Sequence, residues 1–124
     1  MTEQTAAVDF VSFQVRDVSA SARFYQDLVG LRRLPVPNPD AAVFAGEGAT
    51  FAVRAPLPGT DLDALAQPGA GVGVWFGHED AAGLHARLDA AGVPIGQDPF
   101  AAPFGVQFAF RDPDGYVVTV HTRS

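Results

Sequence analysis

Apolar and polar residues alternate at Val11, Phe13 and Val15, and the period then changes, with Ala20, Phe24 and Leu28 recurring every fourth position. The first spacing predicts a strand buried on one side, and the second predicts an amphipathic helix. Asp17, between the two, is placed to cap that helix, and Gly30 to end it. Short apolar runs at 31–34, 41–46 and 50–55 follow, separated by PVPNP and GEG, and they predict three further strands.

The same order returns after residue 71. Val72, Val74 and Phe76 alternate, Asp80 is the second candidate cap, and Ala81, Leu84, Leu88 and Ala91 form one helical stripe that ends at Gly92. Strands are then expected at 93–95, 105–110 and 116–121, with PFAAPFG and DPDG as the turns between them. The pattern is β-α-β-β-β, written twice. Module one spans about 8–55 and module two about 71–122 of a single domain, 1–124. Residues 56–70 are expected to be an exposed linker, the most mobile segment, with one helical turn at Asp61 to Ala66.

Parity along each strand separates a packed face from an open one. If Phe13, Phe51, Val53, Phe76, Phe108, Val118 and Val120 face the helices, the other face carries Phe10, Ser12, Gln14, Ala52, Arg54, Gly73, Trp75, Gln107, Thr119 and His121. Large aromatics, small residues and a few hydrogen-bonding groups suit a small-molecule pocket. Phe10 and Trp75 would equally serve as filler of a core or a subunit interface. Phe44, Phe100 and Phe104 are candidates to close the rim. His78 and His85 fall on helix-facing or stripe-flanking positions and are read as structural.

Composition narrows the chemistry. The chain has 48% hydrophobic and 18% charged residues, enough apolar content for a core. Fourteen acidic against eight basic residues give a net charge of -6, which disfavours nucleic acid and mildly favours neutral or cationic ligands. There is no cysteine, so a metal would have to be held by His, Asp or Glu. No apolar run is long enough to span a bilayer and the N-terminus lacks a secretory pattern, so a cytoplasmic protein with no membrane partner is expected. GAGVG at 69–73 lacks the flanking strand and GK[ST] of a phosphate loop, and DPDG lacks the later ligands of a calcium loop.

FVSFQVRD with FYQDLVGL, WFGHED with HARLDAAGV, and FGVQFAFRDPDGYVVTV together resemble the vicinal oxygen chelate superfamily. That group includes glyoxalase I, extradiol dioxygenases, and fosfomycin- and bleomycin-resistance proteins. The resemblance covers nearly the whole chain. It implies an α+β fold of two βαβββ modules forming curled mixed sheets around a cavity, with a homodimer as the expected assembly. In the family's metal enzymes, four strand positions supply the ligands. The matching residues here are Phe10 and Gly73, each seven before a capping aspartate, Ala52, and Thr119, four after the DPDG glycine.

None of the four is a strong ligand for a divalent cation. The resemblance therefore points to the bleomycin-resistance-like branch, and no cofactor or metal is expected. The reading leans away from an enzyme, towards metal-independent binding and sequestration of a small, partly aromatic ligand such as an antibiotic. Phe10 and Trp75 would stack on its rings, with Ser12, Gln14, Arg54, Gln107, Thr119 and His121 fixing its orientation. The alternative is a metal-free isomerase, lyase or cyclase with catalytic His121 as general acid or base and Arg54 or Gln107 polarising a carbonyl. A metal-dependent glyoxalase or dioxygenase ranks below both. An interaction subunit that docks another protein on the aromatic face is a further rival.

Overall fold

The computed structural model describes residues 4–103 and 105–123. Module one runs β1 (Phe10–Gln14), α1 (Val18–Arg23), β2 (Arg33–Leu34), β3 (Ala41–Phe44) and β4 (Thr50–Arg54). Module two runs β5 (Trp75–His78), α2 (Ala81–Ala90), β6 (Ile95–Ala102), β7 (Gly105–Arg111) and β8 (Val117–Thr122). Each module forms a four-stranded mixed sheet, ordered β1-β4-β3-β2 and β5-β8-β7-β6. In both, the first strand pairs parallel to the last and the remaining pairs are antiparallel. The duplicated α+β fold expected from the sequence is present. Among the described residues no helix is long and apolar enough to cross a membrane.

The caps form at the predicted aspartates. The Asp17 carboxylate accepts from the Ala20 amide at 3.0 Å, and that of Asp80 from the Gly83 amide at 3.0 Å. Each satisfies one of the amides that a helix start leaves unpaired. Gly30 and Gly92 sit at φ 90° and 81°, as left-handed helix stops.

The first helix departs from the uniform period. Beyond α1 it widens into a π-helical segment, Phe24–Val29. The i→i+5 turn sets Phe24 and Val29 over one another, and both are buried together with Tyr25.

One hydrophobic core joins both modules. Phe13 stacks on Tyr116 with ring centroids 4.1 Å apart, and Phe51 meets Phe13, Tyr25 and Phe76 edge-on at 5.0, 4.9 and 5.3 Å. Edge-to-face packing suits the ring quadrupole, and each fully buried aromatic contributes roughly 1.5–3 kcal/mol. Val53, Phe108, Phe110, Val118 and Val120 complete the packed faces as parity predicts, but Ala52 and Ala109, expected on the open face, are buried as well. His85 lies edge-on to Phe108 at 5.2 Å, and the Nδ1 of His78 accepts from the Asp80 amide, which gives both histidines structural contacts.

Residues 56–70 are tied to the body at several points. A 3-10 turn spans Leu62–Ala64, inside the stretch where a helical turn was expected, with Leu62 buried. Arg16 Nε donates to Asp63 at 2.8 Å, the Gln14 side chain accepts from the Leu57 amide at 2.7 Å, and Gln67 Nε2 donates to the Gly115 carbonyl at 2.8 Å. These partners lie 43 to 48 residues apart in sequence, a range that strand and helix periodicity does not address.

Candidate functional site

Cross-strand partners share a face, so the ladders define the open surface of each sheet. On the second sheet Trp75 pairs with Thr119, Thr119 with Ala109, and Ala109 with Gln97. The next row is Gly77, His121, Gln107 and Phe100. Four predicted residues, Trp75, Thr119, His121 and Gln107, thus come together, with Gln97 and Phe100 beside them. The Trp75 and His121 rings lie 5.9 Å apart, and Trp75 is 54% exposed. His121 Nδ1 lies 3.1 Å from the Thr122 carbonyl, which accepts when the ring carries its proton there.

The other four predicted residues gather on the first sheet. Phe10 pairs with Thr50, Ser12 with Ala52, and Gln14 with Arg54. Phe10 is 53% exposed. The Gln14 side chain is engaged by the Leu57 amide, and Arg54 Nε donates to the Ala55 carbonyl at 3.2 Å. The eight predicted residues therefore fall into two groups of four, one on each sheet. Of the three rim candidates, Phe44 is fully buried in the core, Phe100 is exposed beside Gln107, and Phe104 lies outside the described residues.

A cleft of about 980 Å³ lies between the modules. Of the eight predicted residues, Trp75 and His121 line it, whereas Phe10, Ser12, Gln14, Arg54, Gln107 and Thr119 do not. Phe51, Phe76, Leu31 and Val74 contribute apolar walls, and Arg32, Glu47, His78 and Arg123 contribute polar ones. Its volume falls at the upper end of small-molecule sites. Arg123 was within reach of the sequence, because the parity of Thr119 and His121 extends to it. Glu47 was not, since a turn carries no period, and Arg32, expected in a strand over 31–34, lies just before β2.

The positions that would hold a metal in related enzymes are occupied by Phe10, Ala52, Gly73 and Thr119, which offer a single neutral hydroxyl between them. Among the described residues no group of three or more His, Cys, Asp or Glu could hold a metal ion. This residue set does not fit a divalent cation.

A second polar cluster sits in the DPDG turn. Asp112 is only 5% exposed. Its Oδ1 accepts from the Asp114 and Tyr116 amides at 3.0 and 2.9 Å, and its Oδ2 accepts from the Tyr25 hydroxyl at 2.7 Å. Burial pushes the Asp112 carboxyl up, against the downward pull of the Tyr25 hydroxyl and the two amides. Burial, followed by the charge of Asp112, pushes the Tyr25 phenol well up. Asp114 accepts from the Arg16 amide at 2.9 Å and from its guanidinium at 3.1 Å, and the Tyr116 hydroxyl donates to the Gln14 carbonyl at 2.8 Å. These bonds tie module one to module two, whereas DPDG by itself predicts only a tight turn.

The fold has close counterparts. TnmS3, an antibiotic binding protein from Streptomyces sp. CB03234, is 26% identical with a TM-score of 0.74, covering 99% of this chain and 100% of that one. A glyoxalase/bleomycin resistance protein from the same Streptomyces strain is 27% identical with a TM-score of 0.71, covering 91% and 97%. Lactoylglutathione lyase from Agrobacterium tumefaciens, 21% identical with a TM-score of 0.67 over 97% and 96% of the two chains, shares the fold. No curated protein sequence matches the chain. The sequence model of the Glyoxalase/Bleomycin resistance protein/Dioxygenase superfamily matches residues 7–120. With two βαβββ modules in place and that match spanning nearly the whole chain, the protein belongs to the glyoxalase/bleomycin resistance/dioxygenase superfamily.

Proposed function

We propose that this protein binds and sequesters a small, partly aromatic ligand, such as an antibiotic or other secondary metabolite, without a metal and without altering it. The observation that carries the reading is Trp75. It is a large aromatic ring, more than half exposed, set beside His121 and paired with a threonine where metal-dependent relatives place a ligand. An exposed tryptophan flanked by hydrogen-bonding side chains supplies stacking and orientation together. Similarity to an antibiotic binding protein at 26% identity supports the same reading. Phe10, Ser12, Gln14 and Arg54 on the first sheet and Trp75, Gln107, Thr119 and His121 on the second are the proposed ligand contacts. In a cytoplasmic homodimer, a second copy would cover the half-exposed Phe10 and Trp75 faces.

The test is intrinsic fluorescence of Trp75, the only tryptophan, in metal-stripped protein titrated with aromatic natural products and then with divalent cations. Saturable quenching by a compound, with no response to cations, is the expected result. Quenching that appears only when a cation is added would refute it.

A second reading rests on His121. The Thr122 carbonyl near Nδ1 gives the ring a preferred orientation, as a general acid or base requires. If His121→Ala abolishes turnover of a bound compound while Trp75 quenching persists, the protein is a metal-free enzyme.

A further inference from the structure

Resting on that ligand-binding reading, we infer that the cleft between the modules selects ligands bearing an acidic group on an aromatic body, and that Arg123 is the residue that selects them. Four observations lead there. First, Arg123 reaches across the cleft. It leaves the end of β8 and its side chain lies over Gly77, where a Cβ would come within 3.2 Å of Arg123 Cδ. Its guanidinium then meets Glu47 of module one at 2.9 Å.

Second, this contact is easily exchanged. It is a single ion pair between side chains 41% and 81% exposed, a class whose net worth is small. Glu47 thus occupies a position on Arg123 that an incoming acid would fill, without any buried network being broken. A neutral ligand gains nothing from that exchange.

Third, the other polar groups at the cleft are mainly donors. The Arg32 side chain lines the same wall, and its guanidinium makes no ion pair or hydrogen bond among the described residues. The Nδ1 of His78 is occupied as an acceptor by the Asp80 amide, which leaves the ring proton on Nε2. The indole of Trp75 can only donate. Apart from Glu47, Glu79 is the one acidic side chain of the lining.

Fourth, the interior behind these donors is apolar, formed by Val11, Leu31, Phe51, Val74 and Phe76. An aromatic body with one acidic group matches that division. The net charge of -6 opposes anions over the molecule as a whole, so any preference for one must come from these local donors.

The experiment compares two dyes with one ring system, 8-anilinonaphthalene-1-sulfonate and the uncharged N-phenyl-1-naphthylamine, read by energy transfer from Trp75. Wild-type protein is expected to bind the sulfonate roughly tenfold more tightly, the scale of one hydrogen bond to a charged group. Arg123→Gln should bring the two affinities together. Glu47→Gln, which releases Arg123, should tighten the sulfonate about two- to fivefold and leave the neutral dye unmoved. Both substitutions are at exposed side chains, and circular dichroism checks the fold. Equal affinities in the wild type, or a ratio unmoved by either substitution, would overturn the inference while leaving ligand binding intact. Failure of both dyes to reach Trp75 would remove the ligand-binding reading, and this inference with it.

Discussion

At the scale of single residues, Asp112 and Tyr25 show how a turn motif becomes a fastening between modules. The DPDG sequence announces a tight turn, and Gly115 at φ 94° provides one. Nothing local reveals that the first carboxylate will be buried against a phenol 87 residues away. Tyr25→Phe keeps the ring but strips Asp112 Oδ2 of its donor, and it should cost about 1–3 kcal/mol in urea unfolding. The same variant has a pH signature. The folded-state pKa of Tyr25 is raised well above 10.0, so its contribution is full below pH 10 and is lost as the pH rises further. Wild-type stability should fall above pH 10, and Tyr25→Phe should flatten that limb, leaving the smaller part due to Tyr116, which is also raised. Asp112 has the opposite sense for a carboxyl. Its folded pKa lies above the ordinary value, so it favours the folded state as pH falls through that window and does not drive acid unfolding. An alkaline limb unchanged by Tyr25→Phe would show that this bond does not hold the modules.

At the scale of elements, strand parity was the most informative signal and a bulge set its limit. The open-face residues Trp75, Gln107, Thr119 and His121 share one surface because their strands run without interruption. In β6 the register shifts between Ile95 and Gln97 and again between Gln97 and Phe100, so an odd and an even position face the same way. Alternation cannot place Gln97 and Phe100, and the PFAAPFG run, read as a turn, is largely strand. The caps were legible because an aspartate before a helical stripe has one economical use. Gly83 sharpens that point. A Cβ there would overlap the Asp80 carboxylate, so glycine at this helical position preserves the cap. Gly83→Ala should therefore lower thermal stability, although alanine favours a helix interior by about 1 kcal/mol. In an Asp80→Ala background, where the clash is gone, Gly83→Ala should raise it. Additive effects of the two substitutions would contradict the cap assignment.

At the scale of the whole molecule, the duplication and the order of elements could be read from periodicity alone, whereas the packing of one module on the other could not. That packing depends on side chains far apart in sequence, such as Phe13 on Tyr116 and Phe51 on Phe76. It also divides the molecule into a tightly bonded end, around Arg16, Asp114 and Tyr116, and an open end bridged by Arg123 and Glu47. The cleft lies at the open end, where the proposed ligand would displace only the Arg123–Glu47 pair. If a second copy covers the Phe10 and Trp75 faces, sedimentation equilibrium should give twice the chain mass of 13.0 kDa. Phe10→Glu, which places a charge on that surface, should shift the protein towards monomer. A monomer at all concentrations would remove the homodimer from the proposal and leave each chain to bind alone.

Binding without chemistry would leave a bound compound unchanged, and the fate of that compound can be measured. Metal-stripped protein is titrated calorimetrically with a compound that quenches Trp75, and the compound is then released and weighed by mass spectrometry after prolonged incubation. Saturable heat, loss of binding in Trp75→Ala and an unaltered ligand mass are the predicted results. A compound recovered with a changed mass, or as a different isomer on chromatography, would contradict the claim and identify the protein as an enzyme.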